Sequence, residues 1–240
     1  MSYGFQVTNT AGRVIIDSEG HIPVLIASGT FSSASTTITY SNTTEIPIVF
    51  VKYASSTHFV ACSSITTTST TLSVYAYSSI SSNPSSSTSG GTVAYRVYAN
   101  VRHQSPSSSF GLQVFASNGY KIFDSTKTLL KIAGMINSVY TTVPPSGDTN
   151  LYPIRSFTIP NGLTSPWFLC NGMAQTVTHS AATTYVQPWR LHKYIMRTNG
   201  ADLQVATVTT SYSGSTWGPS SNPQYTYSHQ TYPINVPLIA

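Results

Sequence analysis

Six carboxylates (Asp17, Glu19, Glu45, Asp124, Asp148, Asp202) and six histidines (His21, His58, His103, His179, His192, His229) are the groups in this chain that could carry acid–base or metal chemistry. Glycoside hydrolysis needs two carboxylates facing one bond, one of them with a raised pKa. Asp17 and Asp124 recur at one place in a repeated turn and read as structural, which leaves four scattered acids. The histidines show no ligand spacing with one another or with Cys62 and Cys170. Serine is abundant, yet there is no Gly-x-Ser-x-Gly elbow and no glycine-rich phosphate cradle ahead of a helix. These patterns predict a protein with no catalytic residues, no metal and no cofactor.

Two constellations remain as contact surfaces. Trp189, Arg190, His192, Lys193, Tyr194 and Arg197 concentrate basic and aromatic groups, as a partner interface does when such residues form desolvated anchors. A strand with one buried and one solvated basic face gives the same pattern, and both readings stay open. The C-terminal segment 212–240 carries Trp217, Tyr225, Tyr227, His229 and Tyr232 among prolines. Its aromatic faces suit either a neighbouring subunit or a sugar ring, and the subunit reading is preferred.

The elements that position these groups are marked by an internal repeat. Residues 4–18 (GFQVTNTAGRVIIDS) return without a gap as residues 111–125 (GLQVFASNGYKIFDS). Gly4/Gly111, Gln6/Gln113, Val7/Val114, Gly12/Gly119, Ile15/Ile122, Asp17/Asp124 and Ser18/Ser125 are identical. Each copy reads as a β-hairpin whose turn ends at Gly12 or Gly119 with positive φ. Asp17 and Asp124 are expected to accept backbone N–H bonds in the turn that closes the second strand.

This motif resembles the opening of a family of small tail-associated proteins of tailed bacteriophages, which begin Tyr-Gly-Leu-Gln-Val-(Phe/Tyr)-Asn-x-x-Gly and continue to Asp-(Ser/Thr). The resemblance covers about fifteen residues, seen twice. It implies a virion component of the tail tip or baseplate, made in the bacterial cytoplasm, and brings no catalytic residues with it.

Composition agrees with an all-β structural protein. Charged residues make up 7% of the 240, against roughly 25% in an average domain. Ser and Thr replace charge, and 16 Tyr and 14 Pro suit short strands and turns. The net charge of +5 arises from few charges of either sign, which gives no support for nucleic-acid binding. Residues 1–20 lack the basic start and apolar run of a secretory signal, and no stretch nears the roughly 20 apolar residues of a membrane span. Cys62 and Cys170 occupy unrelated positions in the two copies, so two reduced thiols are favoured over a disulfide.

Strands are expected at 24–26, 36–41, 46–53, 59–62 and 71–77. The clearest alternation follows, with Val93, Tyr95, Val97, Ala99 and Val101 on one face and Ala94, Arg96, Tyr98, Asn100 and Arg102 on the other. Ser78–Gly91 reads as a polar loop. In the second half, Pro166–Cys170 parallels Pro47–Val51, and Leu203–Ser211 parallels Val93–Val101. The expected architecture is two tandem, homologous β-sandwich domains, residues 1–103 and 111–240, joined by a linker at 104–110. The expected role is a structural protein of the phage tail tip, baseplate or fibre attachment, contacting other tail proteins and copies of itself as a trimer or pseudo-sixfold ring. A receptor- or glycan-binding module for host attachment is the alternative.

Overall fold

Alternation of branched and polar residues with almost no helix-favouring runs dictates extended chain, and every regular element among the described residues is a strand. A computed structural model describes residues 6–8, 10, 14–17, 22–41, 43, 45–76, 87–100, 111–115, 121–139, 154–160, 162–171, 175–179, 186–216 and 234–240. Among them lie β1 (Gln6–Thr8), β2 (Val14–Asp17), β3 (Pro23–Phe31), β4 (Ser35–Thr39), β5 (Ile48–Lys52), β6 (His58–Ile65), β7 (Ser69–Ala76) and β8 (Val93–Asn100). The second half follows with β9 (Gln113–Phe115), β10 (Lys121–Asp124), β11 (Gly134–Val139), β12 (Arg155–Thr158), β13 (Trp167–Leu169), β14 (Gln175–His179), β15 (Val186–Asn199), β16 (Asp202–Thr216) and β17 (Ile234–Ile239).

Two antiparallel sheets face each other. One runs β11-β17-β13-β5-β8-β3 and the other β12-β16-β15-β6-β7-β4, with β14 added beside β15. The core between them takes Val49 and Val51 from β5, Val93 and Val97 from β8, Phe168 from β13, Val236 and Leu238 from β17 on one side. Val60, Leu72, Val74, Tyr194, Met196, Leu203 and Val205 close it from the other. Period-two alternation explains the selection, since Tyr98 and Phe50 point to the opposite face and meet edge to face, with ring centroids 5.9 Å apart.

The domain expectation needs correction, because the halves do not form two separate sandwiches. Each contributes three strands to each sheet, in matching order: β3-β8-β5 and β11-β17-β13 in one, β4-β7-β6 and β12-β16-β15 in the other. The halves meet through corresponding strands, β5 on β13 and β6 on β15, so both sheets run unbroken across the molecule. The register agrees. Aligning Pro47 with Pro166 makes Phe50 the counterpart of Leu169, and these two stand opposite each other in the ladder. Away from the sheets' middle, Val24 bridges its counterpart Leu129, and Leu25 N–H to Thr128 O (2.8 Å) mirrors Leu130 N–H to Pro23 O (2.9 Å). Such self-complementary pairing relates the halves by a half-turn about an axis normal to the sheets.

Local periodicity could not supply this arrangement, because a strand's partner is set by tertiary packing. The same reason displaces one pairing: β17, not the segment at Leu203, occupies the place that β8 holds in the first half, and β16 takes the place of β7. The expected linker at 104–110 lies outside the described residues. Of the polar loop, residues 87–91 are described, where Thr88 N–H donates to Val74 O (2.8 Å) and the Tyr53 hydroxyl donates to Gly90 O. No helix among the described residues is long and apolar enough to cross a membrane.

Candidate functional site

The hairpin β9–β10 explains why the repeat spells what it does. Gly111 holds φ of 145°, and a Cβ there would stand 2.8 Å from Thr126 Cγ2 and 3.0 Å from Ser125 Oγ, so a side chain is excluded twice over. Leu112 N–H donates to Ser125 Oγ (2.9 Å), and Ser125 N–H returns to Leu112 O (2.9 Å). Gln113 Nε2 donates to Asp124 Oδ2 (3.1 Å). Val114 and Phe123 are buried against Ile22 and Leu129, which moors the hairpin to the first half's entry into β3.

Asp124 is the hub of this hairpin. It is fully buried and accepts Lys121 Nζ at 2.9 Å on Oδ2, with the Thr126 hydroxyl (2.6 Å) and amide (3.0 Å) on Oδ1. Burial alone would raise its pKa. The hydrogen bonds from the Thr126 hydroxyl, Lys121 and the Thr126 amide, together with the Lys121 charge, outweigh it and hold the carboxyl well below the usual carboxylate range. The expected amide bond to the aspartate is therefore present in the second copy. In the first copy Gln6, Val7 and Asp17 lie in β1 and β2, with Gln6 opposite Asp17 as Gln113 is opposite Asp124. Gly4, Gly12 and Gly119 lie outside the described residues.

The basic-aromatic segment falls on β15. Trp189 and Arg190 pair with His179 and Thr178 of β14 and with Ser213 and Tyr212 of β16. Lys193 is half-buried, its ammonium donating to Ser63 O at 2.5 Å. Tyr194 is corrected: it is 2% exposed and belongs to the inter-sheet core, because alternation along β15 turns it inward with Met196. Arg197 is also buried, its guanidinium 4.2 Å from the centre of the Phe59 ring and its Nε donating to Gln204 Oε1 (2.8 Å). This end of the segment is thus the strand with a buried face. Trp217, Tyr225, Tyr227 and Tyr232 lie outside the described residues.

Two contacts were not anticipated. Arg96 stacks on Trp167, 4.2 Å from the ring centroid, and its Nη1 donates to Ala240 O (3.1 Å). Arg96 was placed on the face of β8 opposite the valines, but nothing in the sequence pairs that strand with one seventy residues on. Asn171 extends the β5–β13 ladder with its side chain: Oδ1 accepts Val49 N–H (2.6 Å) and Nδ2 donates to Pro47 O (2.7 Å).

Both cysteines are free thiols. Burial pushes Cys62 up to about 11, partly offset by Lys193, and burial also holds Cys170 well above the usual thiol range, with Cys62 adding to it. Neither is an activated nucleophile. Among the described residues no three His, Cys, Asp or Glu side chains gather as a metal site would require. The arrangement offers surfaces and mooring contacts.

Compared with known proteins, the chain matches no family model, no curated protein and no solved structure.

Proposed function

We propose that this chain is a structural, non-enzymatic component of a bacteriophage tail, at the tip, baseplate or fibre-attachment region, that acts by assembling with other tail proteins and with copies of itself. The observation that carries the reading is the twice-occurring Gly-x-Gln-Val…Asp-Ser hairpin and its likeness to the opening of tail-associated phage proteins. In the second copy the motif's glycine, glutamine, valine, aspartate and serine each hold the hairpin together, so the motif marks a building unit with no reaction to perform. A surface with few charges favours close packing against neighbours over dispersal.

Internal duplication is part of the proposal. Eight strands in one order occur in each half, β14 being the one addition, and a fused pair of like units is the simplest origin of a half-turn relation. A structure of this kind has a large continuous core shared by both halves.

Immunogold labelling of phage particles with antibodies against the chain tests the virion role. Gold confined to the tail end supports it and separates a central ring from outer fibres. Intact particles without label at any position, from a culture in which the chain is detected, would refute it.

A further inference from the structure

The seven-stranded sheet ends in β4, and among the described residues no strand pairs with its outer edge. Val74 N–H donates to Ala34 O (2.9 Å) and Tyr40 N–H to Thr68 O (3.0 Å), so the even-numbered residues of this segment face β7. The amides and carbonyls of Ser35, Thr37 and Thr39 therefore point away from the sheet, and all three residues are exposed; of these groups the Ser35 carbonyl accepts the Ser33 hydroxyl at 2.7 Å and keeps its second lone pair for a partner. Pairing with β7 runs from Ser35↔Ser73 to Thr39↔Ser69 without a bulge.

Natural edges are guarded by charge, proline, bulges or a covering segment. The sheet's other end, β12, opens with Arg155 and is followed by Pro160. In the six-stranded sheet, the start of β3 is covered by Thr128–Leu130, and β11 meets β17 through an irregular register. The strand β4, Ser-Thr-Thr-Ile-Thr, has no charge, proline or bulge, and no covering strand among the described residues.

We propose that β4 pairs with β4 of a second copy, antiparallel and centred on Thr37, so that two seven-stranded sheets become one. The strand suits itself as partner. Thr37 would meet its own counterpart and Ser35 would face Thr39, so hydroxyls oppose hydroxyls and no like charges meet. The chain already makes such a contact across this strand, Thr37 Oγ1 lying 3.1 Å from Thr71 Oγ1. Self-complementary antiparallel pairing is also the way its own halves join, at Phe50 and Leu169. This stands apart from the tail assignment, because it is read on purified protein and neither result bears on where the chain sits in a particle.

Sedimentation velocity of the full chain across a concentration series tests it. The expected result is a reversible monomer–dimer equilibrium. Thr37→Pro removes an outward N–H while sparing the bonds to β7, and weakens the dimer by about tenfold or more. Thr37→Lys sets two ammonium groups opposite each other, so its dimer is weak at low salt and recovers at high salt. Circular dichroism and the thermal midpoint confirm that each variant is folded, and should Thr37→Pro fail that check, the Lys variant decides. Thr158→Lys on β12 leaves the dimer unchanged. A monomer at every concentration, a dimer indifferent to the Thr37 variants, or open polymers dispersed by Thr158→Lys would each overturn the proposal.

Discussion

The two halves are joined twice, and the two joints differ. In the six-stranded sheet, Phe168 pairs with Val51 and Leu169 with Phe50, Cys170 N–H donates to Val49 O (2.8 Å), and the Asn171 amide carries the ladder on to Pro47. In the seven-stranded sheet a single pair, Met196 and Val60, marks the joint. Beyond it β15 leaves β6 for the connector after β5, where Thr198 N–H donates to Tyr53 O (2.8 Å) and Ser55 N–H to Thr198 O (3.3 Å). The near half of β15 is engaged elsewhere, hydrogen-bonded to β14. One joint is thus a continuous antiparallel ladder, while the other has one ladder pair and a few backbone bonds to the connector, and side chains of both joints pack in the shared core. Net hydrogen-bond contributions are about 1 kcal/mol each, and burying a large side chain contributes about 1.5–3 kcal/mol. Core burial at the thin joint therefore offsets part of what its shorter ladder lacks.

The largest test of that comparison is Phe168→Ala. The ring is fully buried at the ladder joint, and its loss is expected to cost about 3–5 kcal/mol in urea unfolding. Met196→Ala, at the thin joint, is expected to cost about 2–5 kcal/mol, since Met196 is 1% exposed in the same core. A loss under about 1 kcal/mol for Met196→Ala would break the comparison and leave the ladder as the sole junction. Asn171→Ala comes next. It strands the Val49 amide and the Pro47 carbonyl, both in buried residues, and should cost about 1–3 kcal/mol. Asn171→Asp sharpens the reading. It keeps the acceptor for Val49 but loses the donor for Pro47, so recovery of only part of the loss is expected.

How much of this was legible follows from which interactions are local. The strand β8 was readable because Val93 and Val97 alternate with Arg96 and Tyr98, and the two faces go to different clusters, the valines to the inter-sheet core and Tyr98 to the cluster with Phe50. The strand β4 was readable by the same period, with Ile38 and Tyr40 on one side and hydroxyls on the other. Residues of the hairpin were readable through their repetition, and each identity that could be followed in the second copy has a geometric cause. The joining of halves was not readable, because a Pro-led apolar run announces a strand without naming its neighbour. Tyr194 was misplaced for a related reason: the run Trp189–Arg197 alternates, but which face meets the second sheet depends on where that sheet lies. Asn171 was invisible since a side-chain amide standing in for backbone leaves no pattern.

The smallest predicted effect compares the two hairpins. Where the second copy has Lys121, the first has Val14, so only the β9–β10 hairpin sets a lysine against its aspartate. The carboxyl of Asp124 is depressed in the folded state, so its stabilisation is fully present above the ordinary aspartate pKa near 3.9 and is lost as pH falls below that value. About 1 kcal/mol should disappear by pH 3. Urea unfolding at pH 6 and pH 3 measures it. Asp124→Asn lowers stability at pH 6, because the charge partner of buried Lys121 is gone, and removes this part of the acid loss. An Asp124→Asn variant that loses as much stability between the two pH values as the parent would show that the folded and unfolded states bind the Asp124 proton alike, so that Asp124 contributes nothing to the acid loss. The acid sensitivity would then belong to other carboxylates, and the lysine in the second hairpin would distinguish the copies in sequence without distinguishing them in energy.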